Sequence, residues 1–177
     1  KWTVTPAWVA AWHGHQGCLG VLHGFGCDMG QPMNKGFTPA CIAAEKGHEA
    51  CLAVLHGFGC DMGQPNSSGA TPAFMAALEG HEGCLRALHA FGCDMGQSDK
   101  HGRTPVWIAA QEGHAGSLHF LLRRGVPTLV ECGDFCTPLE AARSKGRTAC
   151  VALLEKYADD KTRKGGAKGV HQVRRQQ

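Results

Sequence analysis

The chain has 177 residues, a net charge of +3 and a hydrophobic content of 43%, which is ordinary for a globular protein. It contains no run of about 18 apolar residues, so the sequence does not predict a membrane-spanning helix. The charge is uneven: residues 1–158 hold 12 basic and 13 acidic residues, whereas residues 159–177 hold six basic and two acidic ones.

A Thr-Pro pair recurs five times at a spacing of 33 residues, at Thr5, Thr38, Thr71, Thr104 and Thr137. Gly-His follows each of the first four pairs and becomes Gly146-Arg147 in the fifth copy. A fixed period of this length is typical of an array of one supersecondary unit rather than of a single globular core.

Each copy predicts two short helices joined by a turn. In the second copy, Thr38 is suited to cap the first helix and Pro39 to occupy its first position. Gly47 is expected to end that helix, and His48 to open a second one with an apolar stripe. Helices this short are marginal alone in water, so each should pack on the same helix of the neighbouring copy.

The strings that carry the Thr-Pro pairs are TPAWVAA, TPACIAA, TPAFMAA, TPVWIAA and TPLEAAR. They resemble the signature of ankyrin repeats. The resemblance covers residues 1–158 and implies an all-α, helix-turn-helix solenoid with short hairpin loops between repeats. The implied repeats span about 1–33, 34–66, 67–99, 100–132 and 133–158, and the low apolar content of residues 159–177 predicts a basic disordered tail.

The chain departs from the family pattern in two places. The signature His is replaced in every copy, by Trp8, Cys41, Phe74, Trp107 and Glu140, so the local His–Thr hydrogen bond of the family should be absent. Pro127 and Phe135 replace the usual Asp and turn Gly between copies four and five, which predicts an irregular hairpin there.

Seven of the ten cysteines occupy two repeat positions: Cys18, Cys51, Cys84 and Cys150, and Cys27, Cys60 and Cys93. Equivalent residues of stacked helices lie about 8–10 Å apart, beyond the ~7 Å Cα separation that a disulfide allows. We therefore predict reduced thiols in the packed interior, which favours an intracellular protein of the cytoplasm or nucleus. Cys132 and Cys136 break the period, and a metal site or a local disulfide there stays open.

No pattern predicts catalysis, a resident metal or a cofactor. The repeated His and Cys residues form parallel rows that do not converge as zinc ligands must. No Cys-His pair is unique to one copy and accompanied by an orienting group, and no Gly-rich phosphate loop follows a strand. The chain is therefore predicted to be non-enzymatic.

The resemblance implies that a partner contacts the hairpin tips and the exposed, concave side of the first helices, where the copies differ most. The predicted partner-binding residues are Trp12, His13, Asn34, Lys35, Phe37, Glu45, Lys46, Ser67, Ser68, Leu78, Glu79, Lys100, His101, Arg103, Gln111 and Glu112. Equivalent positions are Ala70, Gly133, Asp134, Cys136, Ser144 and Lys145.

These residues predict a monomeric scaffold for protein–protein interaction. Their mixed chemistry suits a protein or peptide better than nucleic acid, which would need a continuous basic stripe. Two alternatives are a fragment of a larger ankyrin protein whose activity lies in another domain, and binding of nucleic acid or an acidic surface through the tail.

The two ends of the array differ in polarity. The fifth copy is polar, so the array is expected to end there. The first copy is apolar around Trp8 and Trp12, which predicts at least one further repeat before Lys1.

Overall fold

A computed structural model describes residues 4–128 and 137–169, with side chains up to residue 158. The described residues form five helix pairs, as the period predicts. The first helices of the pairs are α1 (Pro6–Trp12), α3 (Pro39–Glu45), α5 (Pro72–Glu79), α7 (Pro105–Glu112) and α9 (Pro138–Ser144). The second helices are α2 (Gln16–Gly24), α4 (Glu49–Gly57), α6 (Glu82–Ala90), α8 (Ala115–Arg123) and α10 (Thr148–Gly169). A 3-10 turn at Asn34–Gly36 precedes α3.

The Thr-Pro pairs start the first helices in the way that the sequence predicts. The Thr38 hydroxyl accepts a hydrogen bond of 3.1 Å from the Cys41 backbone N–H, and the other four threonines cap their helices likewise. This bond satisfies one of the donors that a helix start leaves without a partner. In α9 the cap is reciprocal, because the Glu140 carboxylate also accepts from the Thr137 backbone N–H.

Small residues let the repeats approach closely. The first helices pack side by side in one row and the second helices in another. The paired alanines of α3 and α5, Ala43-Ala44 and Ala76-Ala77, are fully buried between neighbours. Gly47 has a φ of +77°, and a Cβ there would lie 2.8 Å from Cε1 of His81 in the next repeat. Both the backbone angle and this contact require glycine at the turn between the two helices.

The last helix is longer than the sequence predicts. α10 continues to Gly169, so residues 159–169, which were expected to be disordered, are helical; residues 170–177 lie outside the described part. The first turns of α10 are anchored by buried Cys150 and Leu154. Elongation of an established helix needs neither a new nucleus nor apolar side chains. Within the described ranges, neither α10 nor any other helix has the length and apolar character needed to cross a membrane.

The cysteine positions follow the prediction only in part. Cys51, Cys84 and Cys150 are buried, but Cys18 is exposed because no other repeat in the described residues covers that side of α2. Burial raises the pKa of the Cys84 thiol to about 12. The described cysteines of the second position, Cys27, Cys60 and Cys93, are half-buried, and all eight described cysteines are free thiols. Cys132 and Cys136, with the predicted irregular hairpin around Phe135, lie outside the described residues.

Candidate interaction surface

The predicted binding residues form two rows at opposite ends of the first helices. The helix-end row comprises Trp12, His13, Glu45, Lys46, Leu78, Glu79, Gln111 and Glu112. The tip row comprises Asn34, Lys35, Phe37, Ser67, Ser68, Lys100, His101 and Arg103. Between the rows, the residues of α3, α5 and α7 are buried. A helix of seven or eight residues is about 10–12 Å long, so the structure does not join the rows into one compact patch.

The backbone of the helix-end row is held by hydrogen bonds from the following repeat. A histidine precedes the second helix of each of the second, third and fourth repeats. Its Nε2 atom lies 2.9–3.0 Å from a backbone carbonyl near the end of the first helix in the preceding repeat. The pairs are His48–Trp12, His81–Glu45 and His114–Leu78. Arg147 replaces histidine in the fifth copy, and its Nε donates to the Gln111 carbonyl at 3.1 Å. These bonds fix the main chain, so the side chains of the row can vary without disturbing the stack.

The N-terminal part of this row contains an ordered, exposed aromatic group. Trp12 is 38% exposed, and its ring lies 5.0 Å from that of Trp8. The Lys46 ammonium lies 4.4 Å from the Trp12 ring centroid and 2.8 Å from Oε1 of Glu45. The side chain of Lys46 thus connects the aromatic ring of one repeat to a carboxylate of the next. Aromatic residues held in this way are frequent anchors of protein interfaces.

The tips are ordered by backbone hydrogen bonds between neighbouring repeats. The Ser67 N–H donates to the Lys35 carbonyl at 2.8 Å, and the Lys100 N–H donates to the Ser68 carbonyl at 2.9 Å. Lys35 itself has a φ of +64°, in the left-handed region that is unusual for a residue other than glycine. The tips therefore present Ser67, Lys100 and the exposed His101 on a fixed backbone.

Arg103 has a structural contact that the sequence reasoning missed. Its Nε and Nη2 atoms donate to Oδ2 of Asp99 at 2.9 and 2.6 Å, and the Asp99 side chain is only 1% exposed. Oδ1 of Asp99 accepts from the backbone N–H groups of His101 and Arg103. Asn66 occupies the same repeat position as Asp99, and its Oδ1 atom accepts from the backbone in the same way. An Asn or Asp at this position was the sequence signal that could have indicated a structural role in the tip. Arg103 therefore stabilises its tip as well as facing the surface.

Two other predicted residues also contribute to packing. Phe37 in the tip row and Leu78 in the helix-end row are half-buried, and both contact the hydrophobic core. Only part of each side chain is accessible to a partner. The exposed members of the rows are polar or charged, apart from Trp12.

The two rows differ in charge. The tip row contains three basic side chains and no acidic one, whereas the helix-end row contains three glutamates and one lysine. Because Lys46 pairs with Glu45, the remaining charge of the helix-end row comes from Glu79 and Glu112. A ligand that spans both rows would therefore meet fields of opposite sign.

No three His, Cys, Asp or Glu side chains within the described parts of the chain are placed to hold a metal ion. The burial that raises the pKa values of Cys41, Cys51, Cys84 and Cys150 keeps these thiols in the protonated, poorly nucleophilic form. These cysteines therefore serve as small core residues.

Stacked helix pairs linked by ordered tips define a helical repeat protein. The family model for ankyrin repeats (three copies) matches residues 7–95 and 74–164, which together include most of the chain. The chain therefore belongs to the ankyrin repeat family. No curated protein matches it. Ankyrin repeats generally mediate protein–protein interaction and are typically non-enzymatic.

Proposed function

We propose that this chain is a non-enzymatic interaction module that binds a protein or peptide partner through the tip row and the helix-end row, on the concave face expected for the family. The observation that carries this proposal is the contrast between framework and rows. The capping threonines, paired alanines and buried leucines repeat almost unchanged, whereas the accessible positions of the two rows carry different side chains in each copy.

The chemistry of the rows suggests a partner with three features. Trp12, bordered by Lys46, suits an apolar or aromatic side chain. The carboxylates of Glu79 and Glu112 suit basic groups further along the helix-end row, and Lys100 and His101 suit acidic groups near the tips. Electrostatic complementarity of this kind contributes mainly to specificity and to the rate of association.

We infer that the module acts as an intracellular monomer, in the cytoplasm or nucleus. Its repeat cysteines are free thiols, and Cys51, Cys84 and Cys150 pack as core residues. Reducing compartments preserve thiols, whereas secreted domains of similar size commonly form disulfides.

The test compares capture of cellular proteins by the immobilised chain and by three variants. One carries Lys100→Ala and His101→Ala, the second carries Trp12→Ala, and the control carries Glu49→Gln on the exposed surface of α4. Arg103 is left intact because its loss would leave the buried Asp99 carboxylate without its ion-pair partner. Circular dichroism verifies that each variant is folded.

A specific partner should bind the parent and the Glu49→Gln control equally. It should lose most of its binding to at least one row variant, since loss of one interface anchor can cost about 2 kcal/mol or more. If every protein retained by the parent were retained equally by both row variants, the assignment of the binding surface would be wrong.

A further inference from the structure

A basic cavity lies between second helices, away from both rows. It has a volume of about 390 Å³ between α6 and α8, and it is lined by Glu82, Arg86, His119, Phe120, Arg123 and Arg124. The lining contains three arginines and one carboxylate. All three arginines and His119 are exposed, so their polar groups are accessible to a ligand.

This cavity breaks the repeat. The positions equivalent to Arg86 in the first, second and fifth copies are Gly20, Ala53 and Ala152. Those equivalent to Arg123 in the first three copies are Gly24, Gly57 and Ala90. Arg86 and Arg123 therefore occur where the first two copies have small residues. This contrast is the signal in the sequence that could have identified the cavity.

Packing contacts orient two of the arginines. Oε2 of Glu82 lies so close to α8 that a Cβ on Gly116 would be 2.8 Å from it, which places the carboxylate at the positive N-terminal end of that helix. The other oxygen, Oε1, accepts from Arg86 Nη2. The Arg124 guanidinium lies 5.2 Å from the centroid of the buried Phe120 ring. Arg86 and Arg124 are thus held on opposite helices, and Arg123 has no ion pair among the described residues.

We propose that this cavity binds an anionic oxygen group on a peptide, either a phosphorylated side chain or a carboxylate. Guanidinium groups present planar donors that match both anions, and they can bind them through two parallel hydrogen bonds. The cavity is one site rather than a long stripe, because the second helices of the first and second copies carry Gly20, Ala53, Gly24 and Gly57 at the positions of Arg86 and Arg123. A nucleic acid would need a longer basic track. The site shares no residue with the two rows, so this proposal can be wrong or right independently of the proposed function.

The experiment measures binding of three fluorescein-labelled peptides to the full chain by fluorescence anisotropy. The peptides share an alternating Gly-Ser sequence with an amidated C-terminus, and they carry two phosphoserines, two glutamates or neither. Inorganic phosphate serves as competitor, and an oligouridine RNA tests the nucleic-acid alternative.

Two variants and one matched control locate the site. The first variant carries Arg86→Ala and Arg123→Ala, and the second carries Arg86→Lys and Arg123→Lys, which keeps the charge but removes the planar donors. The control is Lys156→Ala, because Lys156 is the exposed basic residue at the position equivalent to Arg123 in the fifth copy. Thermal unfolding of each variant verifies the fold.

The phosphoserine or glutamate peptide should bind the parent and the Lys156→Ala control equally, and at least tenfold more weakly to the double alanine variant. The double lysine variant should retain only part of the affinity. Stronger binding of the phosphoserine peptide assigns the site to phosphate, stronger binding of the glutamate peptide assigns it to carboxylate, and equal binding of the two shows a site for either anion. The proposal fails if neither anionic peptide binds better than the neutral one, if Lys156→Ala weakens binding as much as the double alanine variant, or if RNA binds more tightly than both peptides.

Discussion

The first helix pair and the interior pairs have the same framework but different surroundings. Val9 in α1 is 42% exposed, whereas Ile42, Met75 and Ile108 at the same repeat position are 1%, 7% and 2% exposed. Phe25, which ends α2, is 83% exposed. The equivalent Phe58 is half-buried under the His23 ring of the preceding repeat, with the ring centroids 3.9 Å apart.

This difference shows that each interior repeat buries part of its surface against its neighbour. In interior pairs, the preceding repeat covers the side that contains these positions. It does so through contact with the aliphatic side chain, stacking on the phenylalanine ring and the histidine–carbonyl bond. The large hydrophobic residues that the described part of the chain exposes are Val4, Val9, Trp12, Val21 and Phe25, all in or next to the first pair. In a one-dimensional array, a terminal unit lacks one of its two interface contributions.

The largest difference in stability between an interior repeat and the first repeat should come from truncating the aliphatic side chain that Val9 and Ile42 share as a repeat position. Ile42→Ala should lower the free energy of unfolding by about 2–5 kcal/mol, because it opens a cavity between α3 and its neighbours. Val9→Ala should change it by less than about 0.5 kcal/mol, as for other surface substitutions. Urea unfolding monitored by circular dichroism measures both; equal losses would contradict the comparison.

A smaller contrast should appear at the phenylalanine that ends the second helix. Phe58→Ala removes the stack with His23 and part of the buried ring, and we expect a loss of about 1–2 kcal/mol, since an aromatic pair alone contributes ~0.5–1.5 kcal/mol beyond its buried area. Phe25→Ala removes a ring that is already in solvent and should be nearly neutral. The thermal midpoints of unfolding of the two variants measure this difference. A larger decrease of the midpoint for Phe25→Ala than for Phe58→Ala would refute the proposed role of stacking.

The histidine that opens the second helix should show a difference of about one hydrogen bond. His81→Ala removes the bond to the Glu45 carbonyl and should cost about 0.5–1.5 kcal/mol. His15 has no carbonyl of a preceding repeat within the described residues, and its ring lies 5.8 Å from that of His13. His15→Ala should therefore leave stability almost unchanged in the same urea assay, and a loss as large as that of His81→Ala would show that the interface bond contributes little.

The cysteines allow the first and the interior repeats to be compared by chemical labelling, without a measurement of stability. Cys18 is exposed, so an alkylating reagent should modify it within minutes in the native protein. Cys84 at the equivalent position is buried, and burial raises its pKa to about 12, so both access and thiolate content are low at pH 8. Mass spectrometry of the alkylated, unreduced protein should find Cys84 unmodified. Rapid labelling of Cys84 would contradict the packed interface, as would a disulfide between repeat cysteines.

Much of the fold could be predicted because the same signals recur in every copy. The Thr-Pro caps and the 33-residue period are local and redundant, and the structure confirms the helix starts that they predict. Periodicity could not predict the exposure of Cys18, because it describes an average repeat and takes no account of the ends. It also could not distinguish Arg103 from a freely exposed residue, because only one of the described tips contains an ion pair like that between Arg103 and Asp99.

The length of α10 and the arrangement of the binding residues depend on tertiary structure. The polar residues 159–169 predict disorder when they are considered alone, yet they continue a helix that Cys150 and Leu154 hold in place. The division of the predicted site into two rows follows from the burial of the intervening helix turns, which no single copy of the sequence indicates.

Native-state hydrogen exchange tests most directly the claim that a neighbouring repeat on each side stabilises every interior pair. Amide protons of α1 and α2 should exchange through local opening at least tenfold faster than those of α5 and α6, because no preceding repeat covers the first pair in the described residues. The intact chain at neutral pH is sufficient for this measurement. Equal protection of the two pairs would mean that each repeat is stabilised by its own contacts, which would contradict the stabilising role of the neighbouring repeats.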